Sequence, residues 1–415
     1  MKKIFKIFLP VSILFVALFF LAIYLHHQSI YYAKNNLGYI DTKGEIVIPP
    51  MYYSGSEFSG GLACAQKMKN RKPEIFAINK KNVVVFRYSY DRPFQAMPKF
   101  SYIVDISMTH CSYYSDGLLN VSDGYLGKNG EKVINLSPKE FDELEPFSEG
   151  LAAVHNKKTG WGYIDVKGDF VIPPQYCMAK SFHNGLAMVT EKKDDLYKSY
   201  FINPRNEKII SNIFGGCSFS EGIAYVWERQ DNPAGKGFKE VPRFIGKDGR
   251  VVIDAEKHPS RVCRIDACNY FSEGLVAVKS SNSEKYGYMD KEGKMIIPPQ
   301  YDDAMPFRNG LAFVEKDGAY SFIDKSGNVV FTENDGIRIP RFSSFSEDMA
   351  VIIKDGKYGY INTKGKIVIE PQFESAGPFS EGLAAVRIKN KSLWVNFFVN
   401  IQKAIWEIKG KGIAK

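Results

Sequence analysis

Phe147-Ser148-Glu149-Gly150-Leu151-Ala152-Ala153-Val154, then Trp161-Gly162-Tyr163-Ile164-Asp165, then Lys167-Gly168-Asp169-Phe170-Val171-Ile172-Pro173-Pro174-Gln175-Tyr176, is the stretch that decides the fold. Leu151 to Val154 is apolar on both alternating faces, which predicts a short strand buried on both sides. Trp161 and Tyr163 point one way, while Gly162 offers no side chain on the other, so a neighbouring strand can approach closely there. Asp165-Val166-Lys167-Gly168 reads as a hairpin turn, with the Asp capping it and the Gly in the left-handed bulge position. The next strand, Phe170 to Ile172, is expected to stop at Pro173-Pro174, which cannot donate to a ladder. Phe147 plugs apolar space ahead of a Ser-Glu-Gly turn.

Working outward, the same pieces recur. The opening aromatic returns at Phe58, Tyr114, Phe147, Phe182, Phe219, Phe271, Phe307, Phe345 and Phe379. The aromatic-aliphatic strand returns at Tyr39, Tyr163, Phe201, Tyr288, Phe322, Tyr360 and Phe398, with weaker copies at Phe76, Tyr125 and Phe244. Self-similarity at a fixed period is the signature of a repeat architecture, here nine or ten units of about 36–38 residues over residues 37–406. The expected fold class is all-β: tandem three- to four-stranded antiparallel repeats. No helix-period stretch of useful length follows residue 37. Propellers usually close with four to eight blades, so an open twisted array, each unit pairing only with its neighbours, is preferred over a propeller-like ring with the Leu-Ala-Ala-Val strand innermost.

These units resemble the WG repeat of bacterial proteins, named for a Trp-Gly pair opening the central strand. The pair is intact at Trp161-Gly162, and Tyr286-Gly287 and Tyr358-Gly359 keep the aromatic, while Leu37-Gly38 does not. The supporting pattern persists, as in Phe379-Ser380-Glu381-Gly382-Leu383-Ala384. The resemblance implies a repeat scaffold and carries over no catalytic residue.

The ends differ from the array. Lys2, Lys3 and Lys6 precede an uncharged run of 19 residues, Ile7 to Leu25, just long enough to cross a bilayer as a helix. Residues 1–28 are therefore expected to be an uncleaved membrane anchor. The run ends in Ala22-Ile23-Tyr24-Leu25-His26-His27 without the small-x-small pair of a cleaved signal peptide, the alternative that would release a secreted protein. The lysines place the N-terminus in the cytoplasm and the array outside it. A short linker, 29–36, precedes the array, and a basic tail, 407–415, follows it. Cys64, Cys111, Cys177, Cys217, Cys263 and Cys268 lie in the exported part; the even count permits disulfides, buried free thiols are the alternative, and zinc spacing is absent. The net charge of +9 is spread along the chain without a nucleic-acid motif, so no nucleic-acid partner is expected.

Internal copies test the chain for chemistry. The acid closing the central strand is Asp41, Asp165, Asp290 or Asp324 in some units, Asn79, Asn203, Asn362 or Asn400 in others, and Gly127 or Gly246 in two. These types share turn-forming ability rather than charge, so a structural turn residue is expected. Glu149, Glu221, Glu273 and Glu381 suggest a carboxylate ring, but Gly60, Asp116, Asn184, Asn309 and Asp348 are read in the same slot, again a polar turn position. Histidines share no slot, and no catalytic, cofactor or metal motif occurs. Two units are expanded. One carries Arg87, Tyr88, Tyr90, Arg92 and Phe94, a composition typical of binding hot spots, unless it is a worn repeat. The other lengthens a hairpin from Arg229 to Val241. The expected function is a membrane-tethered, extracytoplasmic, non-catalytic binding or scaffolding protein without a cofactor, its partner a protein or an envelope polymer. A hydrolase or lyase acting on surface polymers and a structural spacer are the alternatives.

Overall fold

The computed structural model describes residues 36–388 except 70–71, 89–113, 122, 194–195, 232–237, 257, 259–269, 281–282, 335 and 342. The expected anchor of residues 1–28, the linker up to residue 35 and the basic tail lie outside these residues. Among the described residues no helix is long and apolar enough to cross a membrane.

Every described element is a strand, and every pairing between strands is antiparallel. The unit around Trp161 shows the plan. Strands Phe141–Leu144, Leu151–Asn156, Gly160–Asp165 and Phe170–Tyr176 pair in sequence order. Leu151 to Val154 is buried as expected, but its strand is second in the sheet rather than at an edge. The Glu149-Gly150 turn lies between the first and second strands, with both residues at positive φ (55° and 81°). Two left-handed central residues make the tight hairpin whose twist matches the flanking strands. The next hairpin has Gly168 at φ 92°, while Asp165 Oδ1 accepts the N–H groups of Lys167 and Asp169 (2.9 and 3.0 Å). Asn203 and Asn362 do the same work uncharged.

The outer strand corrects one expectation. It does not stop at Pro173-Pro174 but runs on to Tyr176. Trp161 pairs with Tyr176 and Tyr163 with Ile172, so the prolines sit in a bulge opposite Gly162. Proline is tolerated there because a bulge at a sheet edge needs no N–H. Gly162 makes the room: a Cβ at this position would lie 2.6 Å from both the Ile172 carbonyl oxygen and the Pro174 nitrogen. Gly38, Gly287 and Gly359 face equally close backbone. The Gly of the Trp-Gly pair is thus a steric requirement of the Pro-Pro bulge.

Cores form between units. Tyr163, Ile172 and Tyr176 pack on Phe182, Val189 and Ile202 of the next unit. The recurring aromatics meet edge-on across the junctions: Tyr39 with Phe58 at 5.1 Å, Tyr163 with Phe182 at 4.8 Å, Tyr288 with Phe307 at 4.7 Å, and Phe322 with Phe345 at 4.8 Å. A buried tyrosine hydroxyl needs a partner. Tyr39, Tyr163, Tyr288 and Tyr360 each donate to a backbone carbonyl at 2.7–2.9 Å, and burial pushes their pKa values up, so the donors stay protonated.

The path of units returns to its start. Strand Leu37–Asp41 pairs along its whole length with Leu383–Arg387, Tyr39 opposite Ala385. One sheet therefore consists of Ser375–Ser380, Leu383–Arg387, Leu37–Asp41 and Ile46–Tyr52. Ser380 Oγ donates to the Phe58 carbonyl of the next unit at 2.6 Å, as Ser148 does to Phe182 and Ser346 to Phe379. The expected open array, which would keep its ends apart, gives way to a closed ring. The same pairing settles the number of units. The half-units at the two ends are one unit, and the described residues form nine, two of them joined in a seven-stranded sheet by the continuous strand Lys208–Gly216. The copy at Phe398 lies outside the described residues.

Candidate binding surfaces

Three places concentrate polar chemistry: the two expanded units and the face bearing the Ser-Glu-Gly turns.

In the first expanded unit, Arg87 and Tyr88 belong to strand Val84–Tyr88, the ordinary fourth strand of its sheet. Arg87 is exposed and its guanidinium lies 5.2 Å from the centre of the Phe76 ring. Tyr88 closes that strand opposite Ile75. Tyr90, Arg92 and Phe94 lie outside the described residues.

In the second, Ile223–Asp231 and Phe238–Gly246 form a nine-plus-nine ladder ending at the pair Asp231 and Phe238, the lengthened hairpin expected from sequence. Phe214 and Phe238 are 48% and 38% exposed, and their ring centres are 5.7 Å apart. The Arg229 guanidinium lies 3.7 Å from the Phe238 ring centre, a cation–π distance. At the base, Arg243 is 7% exposed. It contacts Asp254 directly and reaches Glu228 and Glu256 at 3.7 Å. A buried guanidinium needs such carboxylates, and here they hold the hairpin to the strand after it. Sequence reasoning missed Arg243 and Phe214. Single exposed aliphatics along the outer strands, such as Val83 and Val329, are ordinary for a protein surface; two touching aromatics under an arginine are not.

The third surface is a chain of turn contacts running round the ring. Glu149 accepts the N–H groups of Asn184 and Gly185 (2.6 and 2.7 Å) from the next unit's turn. Glu221 accepts those of Glu273 and Gly274. Glu273 reaches Gly310, Glu381 reaches Gly61, and Asp116 reaches Gly150. Asn184 accepts the Gly222 N–H without a charge. In the unit near Phe345 the latching residue is Glu347, which takes the Gly382 N–H at 2.8 Å. Asp348 is therefore not in the glutamate slot; it occupies the turn-glycine position, at φ 62°. The slot is a turn position as expected, and also an inter-unit latch, which was not. Lysines of the next unit flank three latches: Lys80 by Glu381, Lys291 by Glu221 and Lys325 by Glu273 (3.0–3.2 Å).

Catalytic or metal chemistry finds little convergence. Among the described residues no group of three His, Cys, Asp or Glu side chains could hold a metal ion. Burial pushes Glu57 up and Lys180 down, but they sit in units that are not neighbours, and Lys180 Nζ donates to the Gly216 carbonyl. His155 pairs with Asp142 at 2.6 Å beside Trp161, on the surface. Cys64 and Cys217 are each disulfide-bonded, and Cys177 is free.

Residues 38–70, 124–157, 161–197, 286–320 and 358–391 match the family described as WG containing repeat. The chain is a WG-repeat protein. Each matched stretch begins in or beside the aromatic strand and runs through the Pro-Pro bulge region or its counterpart to the following hairpin, so the WG repeat as matched is offset from the sheet. No curated protein matches the chain. Solved structures resemble it remotely. Hsv2 of Kluyveromyces lactis is 12% identical at a TM-score of 0.30, over 53% of this chain and 75% of that one. The WD40 beta propeller domain of Doa1 is 10% identical at 0.24, over 82% and 93%. The acylaminoacyl peptidase of Pyrococcus horikoshii is 11% identical at 0.34, over 76% and 51%.

Proposed function

We propose that this WG-repeat protein is a propeller-like, non-catalytic binding or scaffolding module of bacterial origin, tethered to a membrane by residues 1–28 with its ring outside the cytoplasm. The observation that carries the binding reading is the exposed Phe214–Phe238 pair under Arg229, where strand Lys208–Gly216 meets the hairpin whose base holds Arg243. Stiff aromatics offer contact area at small entropic cost, and arginine adds directed hydrogen bonds. The disulfide-bonded Cys64 and Cys217 favour an oxidising compartment, and the uncharged 19-residue run favours the tether.

The test is capture of envelope components by the full chain and by Phe214→Ala/Phe238→Ala. A partner held through this hairpin is lost or weakened by at least 2 kcal/mol, about thirtyfold, with circular dichroism unchanged. Equal capture by both chains refutes the assignment. Tyr88→Ala/Tyr90→Ala tests the other expanded unit in the same assay. Mass spectrometry of the native N-terminus tests the tether: a mature start near residue 30 in a soluble fraction would refute it.

A further inference from the structure

The turn latches carry their own internal standard, from which the Asn309 junction departs by donating its amide to the Asp348 carboxylate, and one junction has no latching side chain at all. In the unit that opens with Phe58 the latching slot is Gly60, at φ 62°. It has no side chain to offer the next turn, Asp116-Gly117. That junction retains the hydrogen bond from Ser59 Oγ to the Tyr114 carbonyl, at 3.0 Å. The receiving side is nevertheless intact. Gly117 stands at φ 80°, like Gly150, Gly185 and Gly274, whose N–H groups are latched. Lys128 occupies the hairpin position held by Lys80, Lys291 and Lys325, the three lysines that pair with latch glutamates. Among the described residues neither the Gly117 N–H nor the Lys128 ammonium has a partner, and both residues are exposed. A side chain built at Gly60 would start 3.1 Å from Tyr114 Cβ and 3.7 Å from Lys128 Cε, so it would set out toward that lysine.

We propose that this junction binds a carboxylate group supplied by a ligand, in the place that Glu149, Glu221, Glu273 and Glu381 fill elsewhere in the ring. The complementarity is that of the Glu273 and Glu381 junctions: one turn N–H donating to a carboxylate oxygen, and one lysine balancing the charge. A charge-assisted bond to a backbone N–H is stronger than a neutral one. The Asn184 junction differs, because its amide oxygen already accepts the Gly222 N–H; there Lys247 alone lacks a carboxylate. The Gly60 junction is the one among the latches in which donor and cation are both unmatched. This inference goes beyond the binding surface proposed above, and the two can fail separately.

The test uses the full chain in detergent, labelled so that Asp–Gly amides are observed, and titrated with sodium acetate against sodium chloride at equal ionic strength. The Gly117 amide is expected to shift saturably with acetate, while the Asp–Gly amides at Gly249, Gly318 and Gly356 move little. Lys128→Ala weakens the response at least threefold. Gly60→Glu supplies the missing carboxylate, shifts the Gly117 amide without acetate and removes its acetate response. Glutamate already adopts this backbone at Glu149 and Glu381 (φ 55° and 54°), so the variant asks only that Tyr114 yield by a few tenths of an ångström. The proposal is overturned if Gly117 moves no more than the other amides, or if Lys128→Ala leaves the titration unchanged. It is equally overturned if a folded Gly60→Glu chain responds to acetate as the parent does.

Discussion

Replacing Phe379 by Ala tests ring closure, because its side chain belongs to the sheet that both ends of the chain build. Phe379 is fully buried, lies 4.9 Å from the Tyr360 ring centre, and shares its cluster with Ile40, Ile369, Ala384 and Val386. Its backbone carbonyl, which accepts the Ser346 hydroxyl, is unaffected by truncation, so the change isolates packing. Removing a buried phenyl ring costs about 3–5 kcal/mol. Hydrogen exchange reads that cost as an opening equilibrium raised by roughly two to three and a half orders of magnitude where the lost packing is felt. The pairing of Leu37–Asp41 with Leu383–Arg387 requires the amides of Tyr39 and Ile40 to lose protection together with those of Ala384 to Val386. If residues 37–41 keep full protection while 375–387 lose theirs, the two strands do not share a sheet and the ring is wrong.

Further outcomes follow from the same geometry. Gly162→Ala should cost about 2–3 kcal/mol in a urea titration, since its Cβ meets backbone atoms at 2.6 Å. Gly150→Ala, whose Cβ meets nothing within 4 Å, should cost about 1–2 kcal/mol from its left-handed φ alone; the reverse order would refute the bulge argument. Acid should loosen the ring. Burial works to raise the pKa of Glu221, but Lys291 and the N–H groups of Gly274 and Glu273 outweigh it and hold it below its ordinary 4.5. Burial is likewise outweighed at Asp324, by Asn328 and the turn N–H groups, and it sits below 3.8. A depressed carboxylate contributes stability that is fully present above its ordinary pKa and lost as pH falls through the folded one. The thermal midpoint should therefore fall as pH drops below about 4.5, and Glu221→Gln should flatten that fall; an unchanged slope in the variant would count against the latch.

The repeat, the strands and the turn chemistry were legible because they are local: Gly168 and Asp165 announce a bulged hairpin wherever they stand. Closure left a quieter trace. The array begins at Leu37-Gly38, a central strand with no Leu-Ala-Ala-Val partner before it, and the described chain ends on Leu383-Ala384-Ala385-Val386. The two half-units fit each other, but in the sequence each reads as a separate copy. The latches were hidden for another reason. Glu149 and Glu221 bind backbone N–H groups, which every sequence has, so the slot carries no covarying partner and its mixture of Glu, Asn and Gly looks like indifference. Pro173 misled because the rule against proline inside a ladder does not bind an edge bulge. Arg243 was unreadable, since its three carboxylates come together only when the long hairpin folds back over the next strand. Of the proposed patch, Arg87 and Tyr88 fall in an ordinary outer strand.

The shared sheet of the two chain ends also governs the order in which the molecule can be finished during synthesis. Leu37–Asp41 leaves the ribosome among the first of the described strands, yet its neighbour Leu383–Arg387 is made last. Until then one flank of the first strand offers unpaired backbone groups, a template for wrong partners, while intermediate units can already pack on one another. Closing a loop of more than 300 residues adds only a logarithmic entropic cost, so the burden is one of waiting and exposure rather than of final stability. A chain released before residue 383 would hold most of its units and still lack a completed first one. A permuted chain, opened between two other units and joined across residues 36 and 388, would make that sheet early. Its ends already touch, through the Ile388 N–H to the Asn36 carbonyl at 3.0 Å.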